Sequence, residues 1–177
     1  MLFDNTKIIL DLCGGSGAWS RPYTEHGYDV RLVTLPQDVR LYEPPENVYG
    51  ILAAPPCTLF SLARNRWERT EEEILQALSI IDACLRMVVV CNPVFWALEN
   101  PVGKLFHYLG KPQWVFDPYE YGDPYTKKTA LWGKFAIPQR APVPATMGSM
   151  MHTMVRDSAK RGITPQGFAR AFFEANR

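Results

Sequence analysis

The 177-residue sequence predicts one α/β domain built around a mainly parallel sheet. Three observations lead there. Apolar runs of strand length alternate with helical patterns, a glycine-rich turn follows the first run, and a cysteine and a carboxylate stand directly behind two later runs. In an open parallel sheet, chemistry collects at the carboxyl ends of the strands. A chain of this length buries a single sizeable core.

Taken in order, Lys7-Ile8-Ile9-Leu10-Asp11-Leu12 is a buried-strand pattern, followed by the flexible turn Cys13-Gly14-Gly15-Ser16-Gly17-Ala18. A helix-compatible stretch then runs to Glu25 and stops at Gly27. Residues 28–35 predict a second strand and residues 50–54 a third. Thr70 caps a long helix, with Glu71, Glu72 and Glu73 in its first turn, where the helix dipole favours negative charge. Ile74, Leu75, Leu78, Ile81, Leu85 and Val89 form its predicted apolar stripe, and Asn92-Pro93 ends it. Residues 94–98 make the next strand. Between residues 114 and 138 the pattern is shorter and aromatic, with Thr129-Ala130-Leu131-Trp132 as its best strand. An amphipathic helix closes the sequence within residues 161–176, starting after Thr164 with Pro165 in its first turn.

A net charge of +1 argues against a strongly basic, duplex-wrapping surface, so any nucleic-acid contact must come from local clusters. The four cysteines show no Cys-x-x-Cys spacing and the three histidines lie far from them, which indicates neither a metal site nor a disulfide framework. A reducing cytoplasm is the expected compartment. The N-terminal residues lack the basic-then-apolar pattern of a signal segment, and no run is expected to reach the length of a membrane span.

The most informative segment is Ala54-Pro55-Pro56-Cys57-Thr58-Leu59-Phe60-Ser61. Two prolines fix φ and remove backbone donors, so Cys57 is held on a stiff, exposed turn at a strand end. The run Phe95-Trp96-Ala97-Leu98 leads into Glu99-Asn100-Pro101, a second strand ending in a carboxylate. A thiol nucleophile and a carboxylic acid so placed suit addition to a pyrimidine ring. Cys57 alone would also suit a small buried position, and Glu99 alone a cap or an ion pair.

Pro56-Cys57-Thr58-Leu59-Phe60-Ser61 and Glu99-Asn100-Pro101 resemble the nucleophile motif Pro-Cys-Gln-x-Phe-Ser and the acid motif Glu-Asn-Val of the cytosine-C5 DNA methyltransferase family, in a short form like its phage-encoded members. The resemblance runs from Ile8 to Gly133 in matching order. It implies a Rossmann-like, S-adenosylmethionine-dependent methyltransferase fold, with Cys57 adding to C6 of cytosine and Glu99 protonating N3. Asp11, Gly14, Gly15, Gly17, Trp19, Asp38 and Pro56 are the implied cofactor residues. Trp19 stands where the family has an aromatic contacting adenine, although the residue alone reads equally as core. Asp38-Val39-Arg40 resembles the family's Asp-Ile motif, or is a solvated turn.

Tyr121-Gly122-Asp123-Pro124-Tyr125-Thr126-Lys127-Lys128 resembles the family's Tyr-Gly-x-Pro-Gln-x-Arg block, with lysines in place of arginines, so that either Lys127 or Lys128 supports the base and the other lies in solvent. Ser61, Arg64, Arg66 and Trp67 follow the nucleophile and are the implied substrate contacts, or an ordinary loop. Two departures stand out. Val33-Thr34-Leu35-Pro36 lacks the family's ribose-binding carboxylate, and the short connection behind it implies a deleted helix. Residues 134–156 are too few for a target-recognition domain, which implies little sequence specificity or a specificity partner protein. The substrate implied is DNA, with RNA or a free nucleotide, or a non-catalytic DNA-binding protein, as the alternatives.

Overall fold

The computed structural model describes residues 6–62, 68–150 and 162–177. Strands β1 (Ile8–Leu12), β2 (Asp29–Val33), β3 (Val48–Ala53), β4 (Phe95–Pro101), β5 (Trp114–Phe116) and β6 (Thr129–Lys134) form one six-stranded sheet in the order β2-β1-β3-β4-β6-β5. β1 pairs in parallel with both β2 and β3, and β3 with β4, while β6 runs antiparallel to β4 and to β5. The mainly parallel sheet of the sequence reading is therefore present, with an antiparallel edge. The chain leaves β1 for β2 on one side and returns to β3 on the other. That reversal opens a crevice beyond the carboxyl ends of β1 and β3.

Among the described residues, helices α1 (Arg21–Glu25), α2 (Glu71–Cys91), α3 (Phe106–Leu109) and α4 (Gln166–Ala175), with a 3-10 turn at Pro118–Tyr121, accompany the sheet. Alternation along the strands sorts the core into two faces. Leu10, Leu12, Ile51, Ala53 and Leu98 meet Ile81, Cys84 and Met87 of α2. Ile9, Leu52, Phe95 and Ala97 meet Trp19, Tyr23 and the α4 residues Phe168, Phe172 and Phe173. The Thr70 cap is observed as a reciprocal box: the Thr70 hydroxyl accepts from the Glu73 amide at 3.1 Å while the Glu73 carboxylate accepts from the Thr70 amide at 3.0 Å.

Several expectations need correction. The predicted stripe of α2 holds in part: Ile81 is buried and Leu78 and Leu85 pack against the core, but Leu75 and Val89 are exposed, at 59% and 81%, while Ala83, Cys84 and Met87 are buried. α2 is also long and apolar enough, by length and composition, to cross a membrane, contrary to the expectation that no run is. Asp82 and Arg86 interrupt its sequence without breaking its overall apolarity. Here it is the crossover helix between β3 and β4. The stretch after the first strand yields only the five-residue α1, and β5 went unpredicted because three residues carry too little periodicity. The connection 34–47 has no helix, as the short spacing implied.

Candidate functional site

A cleft of about 1260 Å³ opens beyond the carboxyl ends of β1, β3 and β4. Its walls include Asp11, Gly14, Gly15 and Trp19 from the first strand and turn, Pro56, Cys57 and Ser61 behind β3, Glu99 on β4, and Lys127 and Lys128 before β6. Asp11 pairs with Leu52, and Leu52 with Ala97, so alternation puts Asp11 and Glu99 on the same sheet face.

Asp11 is fully buried. One carboxylate oxygen accepts from the Ser20 hydroxyl at 2.5 Å, while the other, Oδ1, is buried without a partner. Burial pushes its carboxyl up to about 6. Gly14 is required by this carboxylate, because a Cβ there would lie 2.1 Å from Asp11 Oδ1. Gly15 follows at φ +55°, and both glycines put backbone rather than side chain on the cleft wall. An orphan carboxylate oxygen beside bare backbone fits a cationic amino group with an adjoining polar chain, as in the methionine part of S-adenosylmethionine.

Behind β3, the amides of Phe60 and Ser61 both donate to the Cys57 carbonyl, at 3.0 and 2.9 Å, winding residues 57–61 into one turn. β3 ends at Ala53, whereas β4 continues, because residues 99–101 pair with residues 129–131 of β6. Glu99 therefore lies on a stretch of β4 that β3 no longer covers. Next to it, the buried Asn100 donates from Nδ2 to the Pro55 carbonyl at 3.0 Å and ties this strand to the cysteine turn. Its Oδ1 has no partner.

Glu99 is 9% exposed, and its carboxyl lies above the usual carboxylate range because burial outweighs the opposing charge of Lys127, whose Nζ stands 3.9 Å from Oε1. Lys127 is held by its amide, which donates to Asp117 Oδ1 at 2.9 Å. The choice between the two lysines is thus made by position: Lys127 faces Glu99, and Lys128 is exposed at the rim.

Not every predicted residue joins this wall. Asp38 is outside the lining and is held by Arg40 in a 2.6 Å ion pair. Gly17 is also outside it, at φ +66° in the turn, with its carbonyl accepting from Ser20 at 3.3 Å. Trp19 is a core residue at the edge of the cleft. It borders the cleft yet is 2% exposed, packed edge-on to Phe172 at 5.3 Å between ring centroids, with its Nε1 unpartnered. Arg64, Arg66 and Trp67 lie outside the described residues.

Sequence reasoning missed Cys13, Asn100 and Asp117. Cys13 lines the cleft at φ 58°, and the hydrogen bond between its thiol and that of Cys84 lowers Cys13 and raises Cys84. The Asp-Pro step at residues 117–118 was the available signal for Asp117, whose carboxyl is raised by burial. Among the described residues, no cluster of three or more His, Cys, Asp or Glu side chains is arranged to hold a metal ion.

No family model and no curated protein matches the chain. Solved structures do. A protein from Escherichia coli, described as a DNA modification methyltransferase encoded within a prophage, aligns over 78% of this chain and 52% of its own, with 18% identity and a TM-score of 0.52. A substituted variant of DNMT2 from Spodoptera frugiperda aligns over 78% and 54%, at 18% identity and a TM-score of 0.43. The methyltransferase EhMeth from Entamoeba histolytica aligns over 80% and 57%, at 8% identity and 0.42. The chain spans about half the length of these proteins, and it has the α/β fold of the prophage methyltransferase.

Proposed function

We propose that the chain is an S-adenosylmethionine-dependent methyltransferase acting on C5 of cytosine in DNA. The observation that carries this reading is the shared cleft of Cys57 and Glu99, with Glu99 buried and held toward its protonated form. C5 of cytosine is a poor nucleophile until a thiol adds across the C5–C6 bond. A thiolate at Cys57 forms the bond to C6, and the displaced electron pair is accepted as N3 takes a proton from Glu99. Lys127 limits how far burial can raise Glu99, so the acid remains able to give up that proton. Asn100 keeps the thiol-bearing turn and the acid-bearing strand in register.

Bound through Asp11, Gly14 and Gly15, the cofactor supplies an electrophilic methyl group on a sulfonium. The enamine carbon C5 would take that methyl as its bond to sulfur breaks and a neutral thioether leaves; loss of the C5 proton to water then re-forms the double bond and expels the Cys57 thiolate, and N3 returns its proton to Glu99. Lys128 at the rim offers a point charge to a phosphate or carbonyl oxygen. The DNA substrate is drawn from the motif resemblance.

Covalent trapping on 5-fluorocytosine tests the reading, with the base offered in duplex DNA, single-stranded DNA, RNA and the free nucleotide, and S-adenosylmethionine present. Fluorine cannot leave as a proton, so the thioether to C6 persists and is seen by intact mass. The expected result is an adduct with DNA, abolished by Cys57→Ala and strongly reduced by Glu99→Gln, whose amide cannot supply the proton. Adducts with only RNA or the nucleotide would reassign the substrate. Unchanged mass with every substrate, despite cofactor binding, would sink catalysis by this chain.

A further inference from the structure

The nucleophile turn has a second side. Cys57, Thr58 and Ser61 face the main cleft, while Leu59 and Phe60 of the same turn line a separate cavity of about 230 Å³, room for several water-sized groups. Arg69, Lys104 and Tyr108 complete its functional wall. Arg69 and Lys104 are both fastened to backbone carbonyls of the turn. Arg69 donates from one terminal nitrogen to the Ser61 carbonyl at 3.2 Å, and the Lys104 amide donates to the Phe60 carbonyl at 2.7 Å. Gly103 allows that approach, since a Cβ there would lie 2.2 Å from the Phe60 oxygen.

The geometry points to a phosphodiester site in this cavity, which holds the backbone of a polynucleotide whose target base lies in the main cleft. This rests on the methyl-transfer reading for the identity of the strand. Arg69 Nε is a buried donor without a partner, and an arginine fork with its Nε free is suited to two oxygens of one phosphate. Among the described residues, no carboxylate forms an ion pair with Arg69 or Lys104. Glu68 also borders the cavity but is exposed, leaving two cations against one carboxylate. Tyr108 is anchored edge-on to Phe60 at 5.7 Å and walls the cavity with an aromatic face and a phenol. With a net charge of only +1, the chain has no general basic field to hold a polyanion, so phosphate contacts must be local pairs of this kind. Because the Arg69 guanidinium and the Lys104 backbone amide brace the turn that carries Cys57, a phosphate held there also fixes the nucleophile relative to the strand.

Fluorescence anisotropy of a labelled duplex, titrated at several salt concentrations with the full chain, tests the site. Lys104→Gln and Arg69→Leu are each expected to reduce the slope of log affinity against log salt by about 0.9, the loss of one neutralised phosphate, with Lys104→Arg retaining it. S-adenosylmethionine binding by calorimetry should be unchanged in Lys104→Gln, which confirms a folded protein if Arg69→Leu proves unstable. Equal slopes for wild type and Lys104→Gln, with binding intact, would overturn the site and leave methyl transfer untouched. If the wild type binds no oligonucleotide but forms an adduct on the free fluorinated nucleotide, the site falls and the chemistry survives. The reduced slope without an adduct on any substrate would uphold the site while removing the catalytic reading.

Discussion

The two ends of the parallel strands are built on opposite terms. At the amino ends of β2, β3 and β4, the ring of Tyr23 meets those of Tyr28, Phe95 and Phe173, Tyr49 packs on Phe95, and polar groups there find partners. Tyr23 donates to the Asn176 carbonyl at 3.0 Å, Tyr49 donates to the Arg177 carbonyl at 2.5 Å, and Lys7 sits 3.9 Å over the Tyr49 ring. Asn176 satisfies both sides of its amide, accepting from the Ala136 amide and donating to the carbonyls of Ala136 and Phe172. At the carboxyl ends, Asp11 Oδ1, Asn100 Oδ1 and Trp19 Nε1 are buried and unpartnered, and two carboxyls, Asp11 and Glu99, are raised by burial. Unsatisfied buried polar groups cost stability, and the proposed cofactor and substrate sites account for their collection at one end.

If that contrast is right, substitutions at the two ends should separate stability from binding. The largest stability effect belongs to the satisfied end. Phe172 is fully buried and packs on Trp19, Phe95, Phe135 and Phe168, so Phe172→Ala should cost about 3–5 kcal/mol, read from the urea midpoint. A loss below about 1 kcal/mol would mean that α4 is not the clamp on this face.

At the other end the sign reverses. The Asp11 carboxyl is raised from 3.8 to about 6, so in the unliganded protein its contribution to stability is fully present below pH 3.8 and is lost as pH rises through about 6. The shift corresponds to about 3 kcal/mol at 1.36 kcal/mol per unit. Asp11→Asn should therefore flatten the fall in stability between pH 4 and 7 and be the more stable protein at pH 7. It should also weaken S-adenosylmethionine binding by about 1.5–3 kcal/mol, through loss of a charged acceptor. Equal slopes for the two proteins in urea titrations across that range would show that Asp11 is not held neutral by its surroundings.

The same division explains what could be read before the structure. Cys57 and Glu99 were legible because each is announced locally, by a proline pair or an Asn-Pro step directly behind an apolar run. The Thr70 cap was legible for the same reason, and so was the start of α4, although Pro165 is its N-cap and Gln166, not Pro165, opens its first turn. Asn100 was not, since its partner carbonyl lies 45 residues away and an asparagine beside a proline reads as turn chemistry. Nor could the sequence choose between Lys127 and Lys128, because only the pairing of β6 with β4 decides which one meets Glu99. The stripe of α2 shows the converse limit: periodicity finds the face of a helix, but the covering sheet decides how much of it is buried.

Within the site, the smallest expected effect is also the most specific. Glu99 and Lys127 are both nearly buried, yet at 3.9 Å their charges attract without a short hydrogen bond, and Glu99, already raised by burial, takes up a proton when the cation is gone, so Lys127→Met should change stability by only about 1 kcal/mol. Its consequence should appear in the pH dependence of 5-fluorocytosine trapping. In the proposed mechanism Glu99 is the acid, so trapping falls on the alkaline side as its carboxyl ionises. Burial raises that carboxyl and Lys127 lowers it. With methionine in place of the cation, burial acts unopposed, and the alkaline limb should move to higher pH, whereas Lys127→Arg should leave it in place. A limb that moves to lower pH, or that shifts equally in both variants, would mean that the lysine acts on the substrate and not on the acid.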